Sequence, residues 1–201
     1  RWLNCNDNRI SELSLKNCTE LEILNFGFND LEKVDVSKNG KLEYIHCNDN
    51  YLTSLDVSNC TKIIKLYCQN NEITSLDLSK NALLQEVYCE NNKLTNLNVS
   101  NLSSLRKLYC EKNKLTKLDV KSTTKLDVLQ CSNNQISSLD ISNLKSLGLI
   151  DCSNNKLTSL DISNNTSIGV VICAGNSLTS FVTYTDLSEL DVSNNKLTSL
   201  D

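Results

Sequence analysis

Apolar residues recur along this chain in a unit of 21 residues, whose positions we number from one to 21. Three consecutive units, starting at Leu42, Ile63 and Leu84, read LEYIHCNDNYLTSLDVSNCTK, IIKLYCQNNEITSLDLSKNAL and LQEVYCENNKLTNLNVSNLSS. Positions one, four, 11, 14 and 16 are Leu, Ile or Val in nearly every unit, with polar residues between them. Such a period predicts a solenoid whose stacked units share one core.

The repeats fill the whole chain, residues 1–201, as a single array. A partial unit is followed by units that start at Leu21, Leu42, Ile63, Leu84, Leu105, Leu126, Leu147, Ile168 and Leu187. The unit 168–186 is two residues short, and the change falls within 181–186, where Phe181 and Thr183 occupy apolar positions. Because the pattern is already under way at Arg1 and is cut at Asp201, we interpret the chain as an excerpt of a longer protein.

Alternation of apolar and polar residues around L-x-C is the signature of a strand with one buried face. The second half of each unit, L-x-x-L-D-V-S-N, resembles the first, so we expect extended segments on both sides. The sequence therefore predicts a mainly β solenoid of about ten parallel-strand turns, gently curved, with little or no helix and a length of about 50 Å.

The strand segment, L-x-x-L-x-C-x-x-N-x-L, resembles the leucine-rich repeat, L-x-x-L-x-L-x-x-[N/C]-x-L. Position nine is Asn in all ten units, from Asn8 to Asn195. Asn tolerates left-handed backbone and can bond nearby main chain, which suits a stacked turn. The 21-residue length is similar to the short repeats of bacterial surface proteins. This resemblance implies an extracellular or cell-surface adhesion or binding module that presents its strand face to a protein or glycan, although reduced cysteines would also suit the cytoplasm.

Eight of the ten cysteines occupy position six, a slot that Phe26 and Val192 fill elsewhere: Cys5, Cys47, Cys68, Cys89, Cys110, Cys131, Cys152 and Cys173. Thiols in register on neighbouring parallel strands are poorly placed for a disulfide, so we expect buried, reduced side chains. Cys18 and Cys60 share position 19 two units apart, about 10 Å by stacking, too far for a bond. Scattered disulfides or a metal site are the alternatives.

Neither the composition nor the motifs indicate an enzyme, a cofactor or a nucleic-acid partner. The chain has 20 Lys and Arg against 24 Asp and Glu, one His (His46), no Gly-rich phosphate loop and no apolar run long enough to span a membrane. Glu90 and Glu111 are an acidic pair on adjacent units, which a repeating face produces by construction. Position 15 is Asp35, Asp56, Asp77, Asp119, Asp140, Asp161 and Asp201; we interpret this column as a solvated edge, with calcium binding or an ice-binding Thr array as alternatives.

The candidate binding residues lie at positions three and five, which flank the buried residue of the first strand and must point outward. They vary along the array, unlike the uniform Thr, Ser and Asp of the second half. The face combines aromatic, charged and apolar groups: Tyr44, His46, Lys65, Tyr67, Glu86, Tyr88, Lys107, Tyr109, Val128, Leu149, Val170 and Ile172. Tyr suits binding hot spots and sugar rings, but it is also simply a good strand residue.

Two functions remain open from the sequence. Concentration of unusual residues on one face favours a recognition module, whereas a structural spacer or stalk would need no ligand of its own. Neither end of the array has a visible polar cap, so we also expect the excerpt to self-associate end to end.

Overall fold

A computed structural model of the chain describes residues 1–183 and 186–200. Ten strands of three residues each form one parallel sheet in chain order. The strands are β1 (Trp2–Asn4), β2 (Ile23–Asn25), β3 (Tyr44–His46), β4 (Lys65–Tyr67), β5 (Glu86–Tyr88), β6 (Lys107–Tyr109), β7 (Val128–Gln130), β8 (Leu149–Asp151), β9 (Val170–Ile172) and β10 (Glu189–Asp191). Each covers positions three to five of its unit, so the predicted β solenoid is confirmed, and the described ranges contain no helix.

The core is the column of apolar positions that the repeat predicts. Side chains at positions one, four, 11 and 16 are almost fully buried in the inner units, as in Leu84, Val87, Leu94 and Val99. Each strand of the inner turns has a buried central residue between two half-buried ones, a pattern that Leu66 shows between Lys65 and Tyr67. One turn has no second layer to cover these residues, so only the neighbouring turns can bury them.

The Asn column at position nine ties each turn to the one before it. The Asn92 amide nitrogen lies 3.0 Å from the Cys68 carbonyl of the preceding turn and 3.1 Å from the Cys89 carbonyl of its own turn. Its Oδ1 accepts the N–H of Ile73 at 2.9 Å. Buried backbone groups at the end of the strand ladder are thereby paired.

Left-handed backbone occurs at position eight, one residue before the Asn column. Nine non-glycine residues there have φ between 51° and 58°, and Gly175 has φ 65°. Asn, Asp and Gly adopt this conformation at little cost and hold most of these positions. Phe28 and Lys112 are the exceptions.

In the described residues the second half of the unit is not a strand, contrary to expectation, and an isolated bridge between Asp77 and Asn98 is the only parallel pairing there. The residues that follow L-x-x-L form local turns. The N–H of Asn81 bonds the carbonyl of Leu78, and the N–H of Leu84 bonds that of Asn81, each at 3.0 Å.

Within L-x-x-L itself, the N–H of Ile73 bonds the side chain of Asn92 and the N–H of Thr74 bonds the Thr53 carbonyl of the preceding turn at 3.4 Å. These amides are not paired in a regular ladder, so the repetition of L-x-x-L does not produce a second sheet.

All ten cysteines are free thiols. Those at position six in the inner turns are fully buried, and the Sγ of Cys47 lies 3.3 Å from the Tyr67 carbonyl of the next turn. At position 19, Cys60 is buried and Asn39 separates it from Cys18 along the column, as the spacing predicts. Burial raises the pKa of the Cys60 thiol to about 11.

The short unit contributes one residue to the core where it departs from the repeat. Phe181, which replaces the usual aliphatic residue at position 14, is 3% exposed. Val182 stands in the Asp slot and is exposed. Tyr184 and Thr185, also in the irregular segment, and Asp201 of the Asp column lie outside the described residues. No helix in the described ranges is long and apolar enough to cross a membrane.

Candidate binding face

The first-strand face is formed by positions three and five of the ten strands, and all twelve candidate residues lie on it. Its first part pairs Trp2, Ile23 and Tyr44 in register, and Trp2 and Ile23 are 67% and 37% exposed. Trp2 and Ile23 were not among the predicted site residues, although they occupy the same position three. The exposure of successive large apolar groups is the signal that marks them.

An aromatic ladder of His46, Tyr67, Tyr88 and Tyr109 runs along position five. Consecutive ring centroids are 4.3, 4.5 and 4.6 Å apart, and the rings are within 10° of parallel. This spacing follows from the distance between adjacent parallel strands. Each inner ring therefore has both faces against neighbouring rings, and its edge remains for a partner. The sequence suggested that sugar rings could stack on these tyrosines, but the inner rings have no free face for such stacking.

Two lysines at position three share one glutamate as their ion-pair partner beside the ladder. Glu86 lies 3.1 Å from the Lys65 Nζ and 3.9 Å from the Lys107 Nζ, and the Tyr88 hydroxyl donates to its Oε2 at 3.1 Å. Burial opposes ionisation of Glu86, but the hydrogen bonds from Lys65 and Tyr88 and the charge of Lys107 outweigh it and lower its pKa. These ion pairs join neighbouring strands, so the charged groups in the middle of the face already have partners within the chain.

The ladder residues are held in one protonation state around neutral pH. Burial, and then the charge of Lys65, lowers the pKa of His46, so its ring is neutral. Burial is also the main cause that raises the pKa of Tyr67, Tyr88 and Tyr109. The hydroxyls therefore stay protonated and can both donate and accept a hydrogen bond.

Beyond the ladder, Val128, Leu149 and Val170 pair in register at position three, and Ile172 lies beside them at position five. All four are half-buried. They form an apolar stripe on the sheet surface, which follows Lys107 at position three, so the face is aromatic and charged in the middle and aliphatic toward β9.

Sequence reasoning undervalued Glu90 and Glu111 at position seven, next to the ladder. One carboxyl oxygen of each, and the amide oxygen of Gln69 in the preceding turn, is buried without a hydrogen-bond partner. Burial, followed by the charges of Glu90 and Asp151, outweighs the favourable contacts and raises the pKa of Glu111 to about 7. Position seven otherwise holds Asn, Gly, Gln, Ser or Ala, so two consecutive acids were the available signal.

The second-half face is built from local turns. The Oδ1 of Asp56 accepts the N–H of Ser58 at 2.9 Å, and the same bond recurs along the Asp column. These hydrogen bonds lower the pKa of Asp56 and Asp77. No group of three or more His, Cys, Asp or Glu arranged to hold a metal occurs among the described residues.

The repeat, the parallel sheet and the buried cysteine column define the chain as a leucine-rich-repeat protein of the 21-residue type. Among solved structures, the functional domain of InlJ from Listeria monocytogenes, described as including a cysteine ladder, matches 100% of this chain at 30% identity with a TM-score of 0.73. The chain spans 55% of that structure's length.

Two further structures share the fold at lower identity. Internalin C2 of Listeria monocytogenes matches 90% of this chain and 80% of its own at 20% identity and a TM-score of 0.73. A leucine-rich-repeat protein of Leptospira interrogans matches 93% of this chain and 64% of its own at 18% identity and a TM-score of 0.72. No family model and no curated protein matches the sequence. These likenesses show that the chain shares the leucine-rich-repeat fold.

Proposed function

We propose that this chain is a non-catalytic binding module of a bacterial surface or secreted protein, and that its first-strand face receives a protein partner with the tyrosine ladder at the centre. The observation that carries the proposal is the contrast between the two faces. Positions three and five change chemistry along the array, whereas the second-half face repeats Thr, Ser and Asp.

The ladder favours a protein over a glycan as the partner. Its inner rings offer phenolic edges in a rigid row, which supply contact area at low entropic cost. Sugar recognition by ring stacking needs an open aromatic face, and within the row only the outer faces of His46 and Tyr109 have no ladder ring against them. The flanking apolar stripe adds contact area of the kind found at protein interfaces.

The competing function is a spacer, in which the ladder only stabilises the stack. Mutual satisfaction of Lys65, Glu86 and Lys107 supports it, because groups that already pair within the chain gain less from a partner. A spacer has no face whose alteration removes binding, and that property separates the two functions.

The test compares two triple variants in the same turns. Ligands selected from a phage-displayed peptide library on the unaltered chain, and hits from a glycan array, are measured against Tyr67→Ala/Tyr88→Ala/Tyr109→Ala. The matched control is Thr74→Ala/Thr95→Ala/Thr116→Ala, whose residues are exposed on the second-half side of the same three units. Circular dichroism checks that both variants remain folded.

We expect the selected peptides to bind the tyrosine variant about tenfold or more weakly than the unaltered chain, and to bind the threonine variant with little change in affinity. Survival of binding within about twofold in the tyrosine variant, well under 1 kcal/mol, makes the ladder structural and favours the spacer. Glycan hits whose binding depends on the tyrosines would instead identify a carbohydrate as the ligand of this face.

A further inference from the structure

The last four strands carry a surface whose charge differs from the rest of the first-strand face. In positions one to nine of their units, residues 126–134, 147–155, 168–176 and 187–195, the sequence has no Lys or Arg. The same segments contain four acids: Asp127, Asp151, Glu189 and Asp191. The apolar stripe of Val128, Leu149, Val170 and Ile172 runs among them, and we call the eight residues together the acid-rimmed stripe.

The strand register places the acids directly against the apolar side chains. Ile172 pairs with Asp151 on one side and Asp191 on the other, and Val170 pairs with Glu189. A methyl group added to Gly148 would come within 2.9 Å of the Asp127 carboxylate, so that carboxylate lies over the glycine next to Leu149. The β10 end of the stripe is therefore bounded by negative charge. At the β7 end, Asp127 adds a carboxylate, while Val128 itself pairs with Lys107.

These carboxylates are available to a partner. None of the four takes part in an ion pair within the described part of the chain, in contrast to Glu86 with its two lysines. Asp151 is fixed by the N–H and hydroxyl of Ser153, at 2.9 and 2.7 Å on its Oδ1. The N–H of Ser193 fixes Asp191 in the same way at 2.9 Å. Charges held in place by the backbone lose little freedom when a cation binds.

We propose that the acid-rimmed stripe docks a protein segment in which lysine or arginine side chains flank aliphatic ones. This inference rests on the proposed function and names the chemistry of the partner for one part of the face. Uncompensated carboxylates attract and orient a cationic surface, whereas an acidic surface is repelled. Burial of the aliphatic side chains favours a partner that also has apolar groups, which a purely polar cation lacks.

The test uses three short fluorescent peptides as probes, in which Lys alternates with Val, Lys with Ser, or Glu with Val. Anisotropy titrations of the unaltered chain are made between about 50 and 300 mM salt, a range over which charge screening changes strongly. The Lys–Val peptide should bind most tightly and weaken as salt rises.

The decisive variant is Asp151→Asn/Asp191→Asn. Asn preserves the local turn, because Asn25 at the same position five accepts the N–H of Gly27 through its Oδ1. The matched control, Asp119→Asn/Asp161→Asn, removes the same charge from the second-half face. We expect the first variant to weaken Lys–Val binding by about fivefold or more and the control by less than about twofold.

Equal losses in the two variants, or tight binding of the Glu–Val peptide, overturn the inference. Equal binding of the Lys–Ser and Lys–Val peptides overturns its apolar part. The tyrosine variant separates the two proposals. If it loses the selected ligands while the Asp151 and Asp191 changes have no effect, this inference alone fails, and if it retains them, the proposed function fails.

Discussion

Replacing Asn92 by Ala tests the most repeated interaction in the solenoid. The substitution leaves the Ile73 N–H, whose only recorded acceptor is the Asn92 Oδ1, buried and unpaired. The Cys68 and Cys89 carbonyls keep one amide partner each, from Asn71 and Asn113. The Glu90 carbonyl, which Asn92 bonds at 3.3 Å, keeps the N–H of Asn70. The dominant cost is therefore one orphaned donor, with the loss of one bond at each of three carbonyls in addition, about 2–4 kcal/mol in total.

Asn8 is the matched control because it is exposed and its amide nitrogen makes only local bonds, to the Cys5 and Asn6 carbonyls. Asn8→Ala should cost about 1 kcal/mol or less. Urea denaturation followed by circular dichroism gives the stability difference between the two variants, and hydrogen exchange reports on the Ile73 amide. Asn92→Asp keeps the acceptor but places a carboxyl oxygen against the three carbonyls that the amide nitrogen bonds. At pH 7 it should therefore destabilise the fold at least as much as Asn92→Ala.

Two outcomes would refute this reasoning. One is an Asn92→Ala cost within about 0.5 kcal/mol of the Asn8→Ala cost, since the buried and exposed positions would then be equivalent. The other is unchanged exchange protection at Ile73 in Asn92→Ala, which would mean that water or backbone movement replaces the lost acceptor.

Three further predictions concern the backbone, the buried acid and the thiols. Lys112→Asn should stabilise the fold by about 0.5–1 kcal/mol, because φ of 51° is strained for Lys, and an unchanged urea midpoint at pH 5 would contradict this. Glu111 has its pKa raised from 4.5 to about 7, so its contribution to stability is present below pH 4.5 and is lost as pH rises through 7. The difference in unfolding free energy between Glu111→Gln and the unaltered chain should therefore shift in favour of the variant by about 1–2 kcal/mol from pH 4.5 to 8, after allowance for solvent screening. The lowered pKa of His46 makes a pH-dependent contribution of the opposite sign, but both proteins contain His46, so this contribution cancels in the difference. A difference in unfolding free energy that does not change with pH would contradict the raised pKa of Glu111. Finally, Ellman's reagent should modify only Cys5 and Cys18 rapidly in the folded chain and all ten thiols after denaturation; fewer than ten after denaturation would reveal disulfides.

The repeat in the sequence determined the solenoid, the buried positions, the location of the strands and the cysteine column. It could do so because each of these depends on the side-chain period alone: an apolar residue at position four is buried in every unit once the units stack, and Leu66 and Leu108 obey the same rule. It also identified the varying face, since positions three and five must point away from that core.

Only the tertiary structure decided which contacts the residues of that face make with one another. Adjacent turns bring Tyr67, Tyr88 and Tyr109 into parallel contact and thereby cover the ring faces, a relation between residues 21 apart that no single unit contains.

The second half forms turns because several of its amides bond side chains, as Ile73 bonds Asn92 and Ser79 bonds Asp77, an outcome that the apolar pattern leaves open. The raised pKa of Glu111 likewise depends on which atoms of neighbouring turns surround its carboxyl group, and burial of that group arises only when the turns stack.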